Sequence, residues 1–145
     1  MPEDEIRRLH TIAMLHDIGK IGIVSKILNK KSSLSDDEFE KMKEHTVISG
    51  RILKGLTIIP QVDAGANYHH EHYDGNGYPE GLKGLNIPIE ARIICVADSF
   101  DSMKNPRGFK VSLDKDSIKN ELIKDKGSSS YQIFRNFYFK IFYYL

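Results

Sequence analysis

Cysteine is almost missing from this chain of 145 residues, with Cys95 the single example. One cysteine forms no internal disulfide, and its place in the apolar run ARIICVAD suits a small buried thiol packing as a hydrophobe. A reducing compartment fits that usage, and a cytoplasmic location is the expectation. Surplus charge is missing too: 21 Lys and Arg stand against 20 Asp and Glu. No overall field therefore draws the chain to nucleic acid or to an anionic membrane, so any basic grip is local. The start, MPEDEIRRLH, has no apolar leader, and no apolar run nears the roughly 20 residues a bilayer crossing needs. Alternating strand patterns and internal repeats are absent as well. What remains is an all-α reading.

Helical periodicity gives about five helices. In the first, Ile6, Leu9, Ala13 and His16 recur on one face behind Pro2 and three acidic residues, and the helix is expected to end near Gly19. Ser35-Asp36-Asp37-Glu38 reads as a capping box that opens a second helix running to about Leu53. A third is expected from Pro60 to His70, followed by a glycine-rich loop from Tyr73 to Gly84. Pro88 opens a fourth, whose apolar stripe of Ile89, Ile93, Val96, Ala97, Phe100 and Met103 ends at Asn105-Pro106. A fifth covers about 114–126. The tail after Gly127 holds eight aromatics in its last fifteen residues and reads as a separate, divergent segment, 127–145.

Chemistry is concentrated in His16-Asp17, His45, His69-His70 and Asp98, all at helix ends or on core-facing helices. Imidazoles mixed with carboxylates are the usual ligand set for Fe, Mn or Zn. Neighbours on a helix point about 100° apart, so an adjacent pair serves one ion poorly but can flank two. Two ions about 3.5–4 Å apart activate water and stabilise in-line displacement at phosphorus, which points to phosphate ester hydrolysis. His10 lies about 240° around the helix from His16 and reads as partly buried packing.

Four stretches then occur in order: HDIGK at 16–20, MKEHTVISGRIL around His45, HHEHYDGNGYPEGLKG from His69, and IPIEARIICVADSFD ending at Asp101. In order and spacing they resemble the HD-GYP family of cyclic di-GMP phosphodiesterases, an HD-domain helical bundle, over about residues 10–123. The resemblance implies that His16, Asp17, His45, His69, His70 and Asp98 bind two or three divalent metal ions, Fe or Mn first and Zn, Ni or Mg next. It implies that Asp17 and Lys20 are catalytic, Lys20 contacting the scissile phosphate. Asp101, Arg107 and Lys110 match the positions that hold substrate, and Gly77-Tyr78-Pro79 matches the signature loop beside the site.

The implied activity is hydrolysis of cyclic di-GMP to linear pGpG or GMP in bacterial signalling. In relatives the loop also meets diguanylate cyclase (GGDEF) domains, and a sensory or receiver domain stands upstream. The chain departs from the family at His72 and Tyr73, where Arg and Trp are usual, and His72 reads as a surface or supporting residue. Residues 1–126 are read as a partial domain lacking the family's earlier ligand helix, so the alternative is an inactive module that binds nucleotide or partner proteins.

Overall fold

The computed structural model describes residues 2–105 and 112–124. Among these the chain is helical, with no strand. In order come α1 (Glu3–Leu15), a 3-10 turn (Ile18–Gly22), α2 (Ser25–Leu28), α3 (Asp36–Leu53), α4 (Val62–Asn67), a second 3-10 turn (Gly84–Asn86), α5 (Ile89–Lys104) and α6 (Lys115–Lys124). The expected all-α architecture is borne out, with the short α2 as an addition. The tail segment, 127–145, lies outside the described residues.

α3 starts where the capping box says it should. Glu38 N–H donates to Ser35 Oγ at 3.4 Å, and Ser35 N–H donates to Glu38 Oε2 at 2.8 Å, so two orphan donors are satisfied reciprocally. Its inner face buries His45, Thr46, Ser49 and Leu53, whereas Phe39 and Ile52 stay exposed. α3 packs chiefly against the first 3-10 turn and α4. A small core of Ile12, Leu53, Val62, Ala66 and Ile94 joins α1, α3, α4 and α5. Full burial of each of the four larger side chains contributes about 1.5–3 kcal/mol.

Two expected helices are shorter than the periodicity suggests. α1 stops at Leu15, where the backbone turns at Asp17 (φ −98, ψ 8) into the 3-10 turn, and His16 Nδ1 lies 2.5 Å from the Ala13 carbonyl, satisfying one of the acceptors a helix end leaves open. α4 begins at Val62 because Gln61 adopts the left-handed region (φ 61), and it ends at Asn67, where His69 Nδ1 meets the Ala66 carbonyl at 2.7 Å. α5 begins at Ile89 with Pro88 as its N-cap, in line with the expected opening at Pro88, but its face is rotated. Glu90, Ala91, Ile94, Cys95, Val96 and Phe100 are buried, while Ile89 and Ala97 are exposed. Glu90 can turn inward because Arg8 Nη1 pairs with it at 2.8 Å while also donating to the Pro60 carbonyl at 3.1 Å. His10 is exposed rather than partly buried, because Ile12 takes the core-facing position on α1.

Candidate metal centre

Asp17 lies in the middle of the cluster, and a glycine makes that position accessible. At Gly19 a Cβ would sit 2.0 Å from the His45 carbonyl oxygen and 2.5 Å from Ser49 N, so only glycine lets the 3-10 turn lie flat on α3. Gly19 N–H donates to Ser49 Oγ at 2.8 Å and fastens the turn there. That contact carries Asp17 and Lys20 to the buried His45 face of α3.

The imidazoles converge on Asp17 from three elements. Asp17 Oδ2 is 3.3 Å from His16 Nε2, and Asp17 Oδ1 is 3.3 Å from His45 Nε2 and 3.9 Å from His69 Nε2. Asp98, one face of α5, brings Oδ1 to 3.9 Å from His16 Nε2. His70 completes the group, with its ring centroid 4.2 Å from that of His69 and 5.2 Å from that of His45. Lys20 Nζ pairs with Asp17 Oδ2, so it is engaged at the centre rather than free in solvent.

Each ring is set by its far nitrogen. Nδ1 of His16, His45 and His69 lies 2.5, 2.6 and 2.7 Å from the carbonyls of Ala13, Met42 and Ala66, three residues back in each case. A carbonyl only accepts, so Nδ1 carries the proton and the neutral ring turns the Nε2 lone pair inward. Burial, outweighing the neighbouring charges, holds His45 below its ordinary value, and it holds His69 down to about 3. His70 is lowered to about 2, first by burial and then by the charges of His69 and His45. His45, His69 and His70 are thereby kept neutral at ordinary pH. His16 is shifted the other way: burial lowers it, but the Asp17 and Asp98 carboxylates and the Ala13 carbonyl outweigh burial and raise it. For Asp17, burial favours the neutral acid, and the pull of His16 and Lys20 overcomes this and keeps it ionised.

The result is a buried pocket of acceptors facing acceptors. Among the described residues, His16 Nε2, His45 Nε2, His69 Nε2 and Asp17 Oδ1 are buried without a hydrogen-bond partner. Such orphaned groups each cost about 1–3 kcal/mol, and a divalent cation in their midst relieves the cost. Two overlapping sets, His45-His69-His70 and His16-Asp17-His69, have their ligand atoms within 4.8 Å of one another. The residue types and their spacing therefore fit a metal ion.

The glycine loop closes one side. Tyr78 stacks on His70, with ring centroids 4.9 Å apart and planes at 28°, and its N–H donates to the His70 carbonyl at 3.1 Å. Burial and the charges of Asp17 and Asp98 push the Tyr78 hydroxyl up from 10.0 to beyond its ordinary range, so it stays protonated. Gly77 permits this fold-back, since a Cβ there would meet His72 N at 2.2 Å and the His70 carbonyl at 2.5 Å. The Tyr78-Pro79 bond is cis. His72 is exposed, in line with a surface role. Asp101 is exposed one turn beyond Asp98 and accepts from Asn105 Nδ2 at 2.9 Å, away from the imidazole cluster's own contacts. Arg107 and Lys110 lie outside the described residues. Sequence reasoning passed over Phe39 and Lys43, which edge the site: Lys43 Nζ sits 5.5 Å from the Tyr78 ring centroid and 5.0 Å from that of Phe39.

Fold and site together define an all-α domain with a His/Asp centre suited to divalent cations. Comparison with known proteins places it further. Residues 1–131 match the family described as HD domain, and the chain belongs to that family. A cyclic di-GMP phosphodiesterase of Thermotoga maritima is 48% identical over 113 residues, covering 76% of this chain and 30% of its own length. The cyclic di-GMP phosphodiesterase response regulator RpfG of Xanthomonas campestris is 42% identical over 129 residues, covering 88% of this chain and 34% of its own. A 3'3'-cGAMP-specific phosphodiesterase of Vibrio cholerae is 36% identical over 132 residues, 88% of this chain and 25% of the relative. The chain thus spans about a third or less of these curated relatives. Among the described residues no helix is long and apolar enough to cross a membrane.

Proposed function

We propose that this chain is a metal-dependent phosphodiesterase that hydrolyses cyclic di-GMP. The observation that carries the reading is the inward convergence of three Nε2 lone pairs on Asp17 with no hydrogen-bond donor to meet them. His16, Asp17, His45, His69, His70 and Asp98 are the proposed ligands. Fe or Mn suits this hard-carboxylate and imidazole mixture, and two ions suit the two overlapping ligand sets. Bound there, the ions supply an activated water and electrostatic stabilisation at phosphorus.

The chain's own residues do the rest. Backbone carbonyls hold the imidazole rings in one tautomer, so no reorganisation is needed when a charged substrate arrives. Lys20 is held at the centre by Asp17 and is placed to neutralise a phosphate oxygen there. Tyr78 keeps its proton and offers a donor and an aromatic face at the wall beside His70. Asp101, Arg107 and Lys110, with Gly77 and Pro79 shaping the loop, are the proposed contacts to the rest of the nucleotide. Diguanylate cyclase domains and an upstream sensory domain are the proposed partners, in the cytoplasm.

Purified chain reconstituted with Fe or Mn tests the proposal. With cyclic di-GMP it is expected to release linear pGpG or GMP, and 3'3'-cGAMP offered in parallel reports selectivity, because the relatives' names divide between the two. Absence of turnover on both nucleotides with every metal overturns the reading for this chain.

A further inference from the structure

We infer that Glu71 is a positioning residue: it anchors the glycine loop to the histidine pair and so sets the Tyr78 ring against His70. Glu71 immediately follows His69-His70, in a run that invites its assignment as another metal ligand. Its geometry assigns it elsewhere. The side chain is fully buried, and its carboxyl oxygens accept three backbone N–H groups. Glu80 and Gly81 donate to Oε1 at 2.7 and 3.0 Å, and Leu82 donates to Oε2 at 2.9 Å. Burying a carboxyl group is costly unless its oxygens are met, and here the returning limb of the loop meets them.

The loop's longer backbone ties are Tyr78 N–H to the His70 carbonyl at 3.1 Å and Gly84 N–H to the Tyr73 carbonyl at 3.0 Å, and neither of them reaches residues 80–82. Gly75, Gly81 and Gly84 adopt positive φ, and a chain this rich in glycine loses much conformational entropy when it is ordered. Glu71 ties residues 80–82 to the backbone that carries His70, and the Tyr68 hydroxyl holds the Glu80 carboxyl at 2.9 Å. Tyr78 lies on the short span between these ties, which leaves its ring one place to sit. The role differs from that of Asp17: Glu71 acts on the loop wall, not on the ions.

Amide hydrogen exchange on the full chain, with Glu71→Gln, tests this without relying on activity. A glutamine presents one acceptor and one donor, and the donor opposes an N–H of the loop. In the parent chain the amides of Glu80, Gly81 and Leu82 are expected to exchange slowly, although Glu80 and Gly81 are exposed residues. In the variant that protection falls by about tenfold or more while metal content is unchanged. Rapid exchange at these amides in the parent overturns the inference even where the variant does not fold. So does loss of metal in the variant with protection kept.

A second arm rests on the phosphodiesterase reading. There Glu71→Gln raises KM for cyclic di-GMP by about tenfold and moves kcat by less than about threefold, because the loop wall binds substrate before and during reaction alike. Glu71→Asp, which keeps both acceptors on a shorter arm, recovers part of the KM. A loss confined to kcat overturns the assignment, and an inactive parent chain sinks the phosphodiesterase reading while the exchange arm still decides on Glu71.

Discussion

The histidine centre and the glycine loop meet at His70 but are held by opposite means. The centre is made of side chains fixed by helix backbone: each of three rings is tied to a carbonyl three residues earlier, His45 within α3 and His16 and His69 just past the ends of α1 and α4. The loop is backbone fixed by a side chain, with Glu71 taking three of its N–H groups. A rigid frame can hold soft ligands, and a buried ligand-like residue can hold a soft frame. The two regions should therefore fail differently.

The largest effect is expected at the centre. Asp17→Ala removes the carboxylate shared by three imidazoles, and turnover should fall by roughly a thousandfold with loss of bound metal, read by product analysis and metal content. The helical fold should remain, since Asp17 is not among the side chains of the apolar core. Gly19→Ala attacks the same centre through packing. Its Cβ would overlap the His45 carbonyl, a backbone atom that cannot step aside, and a loss of about 3 kcal/mol is expected in urea unfolding. Gly77→Ala instead dislodges the loop, and metal content should survive it.

Acid separates the regions next. His69 stays neutral down to about 3 against an ordinary 6.5. Below about pH 6.5 the unfolded chain takes up a proton at His69 that the folded chain refuses until about 3, so stability falls as pH drops across that window. The slope approaches 1.4 kcal/mol per pH unit for one such group. Unfolding midpoints measured from about pH 7 to about pH 5 should fall, and His69→Asn should flatten the fall. The smallest effect belongs to neither region: Ser35→Ala removes a cap from α3 and should cost about 1 kcal/mol in thermal unfolding with metal content untouched.

How much of this was readable beforehand follows the same division. The capping box at Ser35 is a local signal, and α3 begins there. The six proposed ligands are legible because their residue types are rare in a core and their motifs recur in order. The ends of α1 and α4 were not, because the helical period runs on through His16 and His69 while the backbone leaves the helix at Asp17 (φ −98) and Tyr68 (φ −112), a change the residue pattern does not register. The rotated face of α5 escaped because Glu90 reads as polar until its pairing with Arg8, 82 positions away, is known. Glu71 escaped for a related reason: one glutamate before a glycine run carries no sign that three later amides will turn back to it.

The central claim is that His16, His45 and His69 present their Nε2 lone pairs to one shared centre that holds two cations. Nitrogen-detected NMR of the imidazole rings during titration with Zn²⁺ tests it directly. The Nε2 resonances of all three rings are predicted to move together and saturate at roughly two ions per chain, with Nδ1 remaining protonated. Movement at Nδ1 instead, or Nε2 signals indifferent to the metal, would contradict the account.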